Sequence, residues 1–383
     1  MSPISPSPQP QPTPVPAWPK PVPQRSGLGA GPIIGIVVAT AVGLAVAGYL
    51  GVALGFSTLA VTALLALVPL TLVLLAIRWV DRWEPEPRWA LWFAFLWGAA
   101  VSVAIALIVD LGVQLAIAFA GGGASPDEAF QAVVQAPIVE EVAKGIGVLL
   151  IYAFSRSHFD GPVDGLVYAA TVAAGFAFTE NILYFGVALA EGGGGELGMT
   201  FVVRGIFSPF AHVLFTACTG LAIGIAARRG GGARVIGWFV LGLTAAILLH
   251  AFWNGSLAFA DAFLLYFTVQ VPIFVGAILL AVYLRRQELR IIRRALGDYA
   301  TAGWFSAEEV DGLSTRAGRR MALGWARAQQ PPRTAQVRRF IMDATRLAFT
   351  RHALVTGRAD VRRLADERVL LDAIAADRRA IAG

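Results

Sequence analysis

The sequence predicts an all-α, polytopic membrane protein with about eight transmembrane helices and both termini cytoplasmic. Of the 383 residues, 57% are hydrophobic and only 15% are charged, well below the roughly 25% charged of ordinary soluble domains. Apolar runs of about 20 residues, enough to cross a hydrocarbon core of about 30 Å, recur along the chain. A bilayer leaves helices or closed barrels as spanning structures, and these runs are too long and continuous for barrel strands. Cys218 is the single cysteine, which excludes an intrachain disulfide and a cysteine-rich metal site.

Taken in order, residues 1–30 are rich in Pro, Ser and Gln and have too little apolar surface to pack, so they read as a solvated, partly polyproline-II tail. The tail lacks the charged start and short apolar core of a cleavable signal, so the first span is expected to stay in the protein. Spans are predicted at 32–53, 57–78, 90–119, 133–154, 163–189, 200–226, 235–258 and 263–284. Together, 31–284 form the transmembrane domain. Cations set the orientation, because short cytoplasmic loops retain Lys and Arg. Alternate loops hold Arg78, Arg82 and Arg88, then Arg156, then Arg228, Arg229 and Arg234, and finally Arg285 and Arg286. The intervening loops near 51–57, 120–132, 190–199 and 259–262 hold no Lys or Arg, and Arg204 is the one cation near the outer side. The Gly-rich stretches at 121–123, 192–195 and 230–232 read as loop connections.

From 285 to 383, twenty arginines meet eleven acidic residues, and apolar positions such as Ile341, Ala344, Leu347 and Ala348 recur at helical spacing. This reads as a helical cytoplasmic region, divided by Pro331 and Pro332 because proline removes a backbone donor. Its basicity suits the anionic inner leaflet. No nucleic-acid partner and no oligomeric state are assigned.

The chemistry lies in the middle spans. Glu140, Glu141 and Lys144, then Glu180 and Asn181, then His212, then His250 and Asn254 stand inside apolar segments. Each charged group costs roughly 2.5–3.5 kcal/mol at a bilayer centre even on a lenient scale, so these groups are expected to face one another. Counted from the outer surface at 1.5 Å per residue, Glu140, Glu180, His212 and His250 fall in one layer, roughly 11–18 Å deep. Glu140 with Lys144, and His250 with Asn254, are four apart and share a helix face, as do Ser208, His212 and Thr216. Apart from Lys20, Lys144 is the only lysine, which marks a position that wants a compact ammonium. Asp110, with Gln114 one turn on, reads as packing or support, and His158 and His352 as bystanders in polar surroundings.

These segments resemble a known family. Glu-Glu-Val-Ala-Lys at 140–144 matches an EExxK motif and Phe-Ala-Phe-Thr-Glu-Asn at 176–181 matches FxxxEN. His212 to Thr216 and His250 to Asn254 are similar to its two histidine motifs, and Asp81 to Pro87 to its early loop. Over about 70–285 the chain thus resembles the PrsW-type intramembrane proteases, relatives of the CAAX-processing and bacteriocin-processing membrane proteases. The resemblance implies hydrolysis of membrane-anchored protein substrates within the lipid bilayer, such as anti-sigma-factor-like regulators. It also implies that a glutamate of the first motif activates water: Glu140 as general base, Glu141 positioning it, Lys144 tuning their charge. Relatives in the CAAX-processing branch carry FxxxH where this chain has Glu180.

Two mechanisms suit these residues. In one, His212, His250 and a carboxylate, from the first motif or from Glu180, the ligand chosen here, hold a zinc ion and a remaining glutamate takes a proton from water. In the other, a buried carboxylate activates water directly while His250 and Asn254 donate to the developing oxyanion. The first is preferred. Intramembrane Glu, Lys and His also build proton-coupled transporters, and a noncatalytic scaffold is a third reading. Against transport, no internal repeat relates the two halves, and the polar groups gather in one layer instead of tracing a path.

Overall fold

The computed structural model describes residues 30–119, 127–156, 159–259, 262–356 and 361–382. The tail before residue 30, the glycines at 121–123 and His158 lie outside the described residues. Among the described residues every regular element is a helix. Helices α1 (Ala30–Leu54) and α2 (Phe56–Val80) form an apolar hairpin turned at Gly55, whose φ of 83° belongs to the left-handed region that favours glycine. Then α3 (Arg88–Leu96) runs through a π-helical turn at Trp97–Ser102 into α4 (Val103–Phe119). A short α5 (Glu128–Phe130) and a second π turn lead into α6 (Ala136–Phe154), which carries the first acidic motif.

Helix α7 (Pro162–Phe201) is the hub of the bundle, packed against α2, α3, α6 and α8 (Ala211–Arg228). With no hydrophobic drive between helices in lipid, close backbone approach and dispersion hold such a bundle together. A Cβ on Gly220 of α8 would sit 2.1 Å from the Gly165 carbonyl oxygen of α7, so only glycine lets the two helices meet there. Gly98 plays the same part at the π turn, where a Cβ would meet the Val172 carbonyl at 1.8 Å. The bundle closes with α9 (Arg234–Phe259), the short α10 (Ala262–Leu265) and α11 (Val271–Thr301).

Among the described residues, six helical stretches are long and apolar enough to cross a membrane. One of them, Pro162–Arg228, contains two of the predicted spans, while Ala136–Phe154 carries three charged residues and is not among the six. Two details differ from the sequence reading. The loop expected near 190–199 is reduced to a kink at Gly193, with φ 67°. Conversely, the expected span at 200–226 breaks at Ser208–Phe210, after a π-helical stretch at Val202–Phe207, and Pro209 sits in the break. Irregular backbone at such depth needs local partners. Ser208 Oγ donates to the Val203 carbonyl at 2.8 Å and the Tyr266 hydroxyl donates to the Phe207 carbonyl at 2.9 Å.

Beyond the spans, α11 continues and packs against α12 (Ala307–Leu313) and α14 (Thr334–Val355), onto which α13 (Arg316–Ala328) and α15 (Val361–Ala382) are packed in turn. Ile292, Leu296, Leu347 and Ile374 are fully buried there, each worth about 1.5–3 kcal/mol by removal from water. Ser306 caps α12 in a reciprocal box with Glu309. The helical region is joined to the spans through Arg319, which donates to the carbonyls of Leu313 and Trp83 and lies 4.6 Å over the Trp83 ring.

Candidate active site

The site forms where α6, α7, α8 and α9 converge. On α6, Lys144 is fully buried and donates to Glu140 Oε2 at 3.1 Å and Glu141 Oε1 at 2.9 Å, so one ammonium holds two carboxylates. The same Nζ lies 3.1 Å from His212 Nδ1 and 3.7 Å above the Phe176 ring. An ammonium can only donate, so Nδ1 of His212 accepts and its proton sits on Nε2, 2.7 Å from Glu180 Oε2. His212 is the second residue of α8, directly after the Ser208–Phe210 break. That break lets a residue from within a predicted span reach two neighbouring helices.

Glu141 is saturated. Its Oε1 takes Lys144 and His250 Nδ1, the latter at 3.1 Å, and its Oε2 takes the Thr216 hydroxyl at 2.9 Å. A carboxylate that accepts from Nδ1 leaves the lone pair of a neutral imidazole on Nε2, the arrangement that readies a histidine to bind a metal. Phe215 stacks on His250 with centroids 4.6 Å apart, fixing the ring plane. Glu140 differs from Glu141. Only its Oε2 is bonded, and among the described residues Oε1 has no partner.

Glu180 and Asn181 are held by a residue that the sequence reading treats only as a cation near the outer side. Arg204 donates through Nη2 to Glu180 and through Nε to Asn181 Oδ1 at 2.8 Å, with its guanidinium 4.0 Å from the Tyr184 ring. The signal was present, since an arginine inside an apolar run needs an acid. Asn254 is not brought into the cluster: its amide donates to the Ala132 carbonyl at 2.8 Å and ties α9 to the π turn before α6. Ser208 likewise spends its hydroxyl on Val203. Asp110 accepts from Gln114 and Gln135, outside the cluster, as a supporting contact.

The donor atoms of Glu140, His212 and His250 lie within 4.8 Å of one another. One carboxylate and two imidazoles form a donor set that suits zinc. The carboxylate in this trio is Glu140, from the first motif, and not Glu180, the other carboxylate the sequence offers. Both nitrogens of His212 are engaged, so an ion taking that ring displaces one of those bonds.

The model of the PrsW family intramembrane metalloprotease matches residues 86–277. The chain belongs to the PrsW family. It is 34% identical over 144 residues to the Protease PrsW of Geobacillus kaustophilus (strain HTA426), a match covering 38% of this chain and 57% of that protein. To the Protease PrsW of Clostridioides difficile (strain 630) it is 29% identical over 196 residues, 50% of this chain and 76% of that protein. The Protease PrsW of Bacillus subtilis (strain 168) is 30% identical over 174 residues, 45% of this chain and 72% of that protein. No solved structure matches significantly. The PrsW match spans every residue of the buried cluster and ends within α11, before the helical region that follows. Transport and noncatalytic scaffolding gain no support from these relatives.

The early loop also belongs to the matched region from residue 86 onward. Glu86 accepts from the Tyr168 hydroxyl, and its own amide donates to Asp81 at 3.0 Å. Burial pushes the Asp81 carboxyl up to about 7, against the opposing pull of the Glu86 amide and Arg78. Burial and the nearby Asp164 likewise hold Glu86 well above the usual carboxylate range.

Proposed function

We propose that this chain hydrolyses peptide bonds of membrane-anchored proteins, in the cell membrane with both termini cytoplasmic, using Glu140 as the proton acceptor for the attacking water. The observation that carries this reading is the asymmetry between the adjacent glutamates. Glu141 has every oxygen committed, whereas Glu140 keeps Oε1 uncommitted within a trio that includes both imidazoles. A base needs such an accessible oxygen, within hydrogen-bond reach of water.

Lys144 holds Glu140 Oε2 and so leaves Oε1 as the oxygen turned to the attacking water. Glu141 fixes the His250 tautomer through Nδ1, and Glu180, clamped by Arg204, fixes His212 through Nε2. Phe176 packs on the His212 ring and Phe215 on the His250 ring, giving the imidazoles apolar walls. His212 and His250 would hold a divalent ion such as zinc beside the Glu140 carboxylate, and the ion would supply a Lewis acid that polarises the scissile carbonyl and makes water nucleophilic near neutral pH. Glu180 then supports His212 instead of ligating. The cation-rich loops support the orientation.

The test is elemental analysis combined with cleavage of a membrane-anchored reporter by purified protein. About one ion per chain is expected, with both ion and cleavage lost in His212→Ala and in His250→Ala. Full cleavage by either variant would remove the imidazoles from the chemistry. Full cleavage by metal-stripped wild type would remove the ion alone.

A further inference from the structure

Just beyond the spans, α11 borders an open cleft of about 670 Å³, lined also by α14 and the end of α8. Arg228, Arg290, Arg294 and Arg351 line it, against one carboxylate, Asp298. Arg351 leans on Asp298 at 3.5 Å and on Glu367 at 3.8 Å, and Arg228 is balanced by Asp164 and Glu288. Arg290 and Arg294 are different. They stand four residues apart on one helix face, and among the described residues no acidic group lies within salt-bridge distance of either. Like charges at that spacing destabilise a helix. Their neighbour Arg293, on another face, pairs with Asp311 at 2.8 Å.

We propose that this cleft binds a phosphate-bearing anion held between Arg290 and Arg294. Guanidinium forks match phosphate oxygens in geometry and in charge. Ile291 and Val355 supply apolar wall beside the charged pair, which suits a ligand with a nonpolar or sugar portion as well as phosphate. The position fits two sources. Arg228 ends a helix that crosses the apolar layer, at headgroup level, while Arg290 lies seven residues past Tyr283, about 10 Å farther along α11 at 1.5 Å per residue. An anionic lipid headgroup reaches the near end and a soluble diphosphate reaches the far end. Either one bridges α8, α11 and α14, joining the protease bundle to its helical extension.

The experiment is thermal unfolding of the full chain in phosphatidylcholine nanodiscs, titrated with inorganic pyrophosphate, and in parallel in nanodiscs containing phosphatidylglycerol. At least one probe should raise Tm of the wild type, because a ligand that binds only the folded state stabilises it. A pyrophosphate response identifies a soluble ligand and a phosphatidylglycerol response a headgroup. Arg290→Gln with Arg294→Gln should weaken that response roughly tenfold or more in apparent affinity. Arg290→Lys with Arg294→Lys should keep part of it, and Arg293→Gln should keep all of it. No shift in the wild type with either probe, or an undiminished response in the double Gln variant, would overturn the proposal.

Discussion

The ionic groups inside the bundle and those on the helical extension obey different rules. Within the bundle, Lys144 contacts Glu140, Glu141 and His212, and Glu180 contacts Arg204 and His212. On the extension, Arg293 pairs with Asp311 alone and both side chains are more than 60% exposed. Low dielectric makes an unpaired charge costly and so forces multiple partners, whereas water and salt screen a surface pair until little depends on it. The contrast separates a constellation whose members depend on each other from a surface whose members do not.

The largest break in that comparison should come from Lys144→Met. Removing the shared ammonium leaves two buried carboxylates facing each other, which costs about 3–5 kcal/mol. Thermal unfolding in detergent should show it, and an unchanged Tm would mean that the carboxylates have other compensation. Arg204→Lys comes next. A lysine keeps the charge but cannot bridge Glu180 and Asn181 as the guanidinium does, so reporter cleavage should fall about ten- to a hundredfold through misplaced groups, with folding retained. Wild-type cleavage by this variant would detach the clamp from the chemistry.

A smaller effect sharpens the boundary between the two regions. Asp81, in the loop beside the extension, has its carboxyl raised from 3.8 to about 7. Its native form favours the proton, so its contribution to stability is complete below the unfolded value and is lost as pH rises through about 7. Asp81→Asn should flatten this part of the stability profile between pH about 4 and 7. An unchanged slope would assign it to other groups. The smallest effect belongs to the surface. Arg293→Ala should change stability by less than about 1 kcal/mol and leave cleavage untouched.

Much of the bundle was legible because the membrane penalises error. Glu140 with Lys144, and His212 and His250 with acids, could be grouped from sequence since groups that cannot face lipid must face each other. Choosing among the carboxylates was not legible. Glu140, Glu141 and Glu180 differ in which oxygens are already bonded, and that depends on side-chain geometry between helices. Arg204 escaped because the loop-charge rule treats cations as topology markers and not as partners. Asn254 carries the right donor at the right spacing from His250, yet the bend before α6 places the Ala132 carbonyl within its reach. The break at Ser208–Phe210 was visible only as Pro209, inside a run whose hydrophobicity argued for a continuous helix. In the extension, the Pro331–Pro332 division follows proline chemistry. Ser306 heads a Ser-x-x-Glu capping box and the Thr315 hydroxyl accepts from the Gly318 amide, local signals that composition and spacing alone did not single out.

The most direct measurement is the cleavage rate of a membrane-anchored reporter by reconstituted Glu140→Gln protein. This change keeps size and packing and removes the proton-accepting oxygen. A loss of about a hundredfold or more with unaltered thermal stability is predicted. Cleavage at the wild-type rate would contradict the account at its centre.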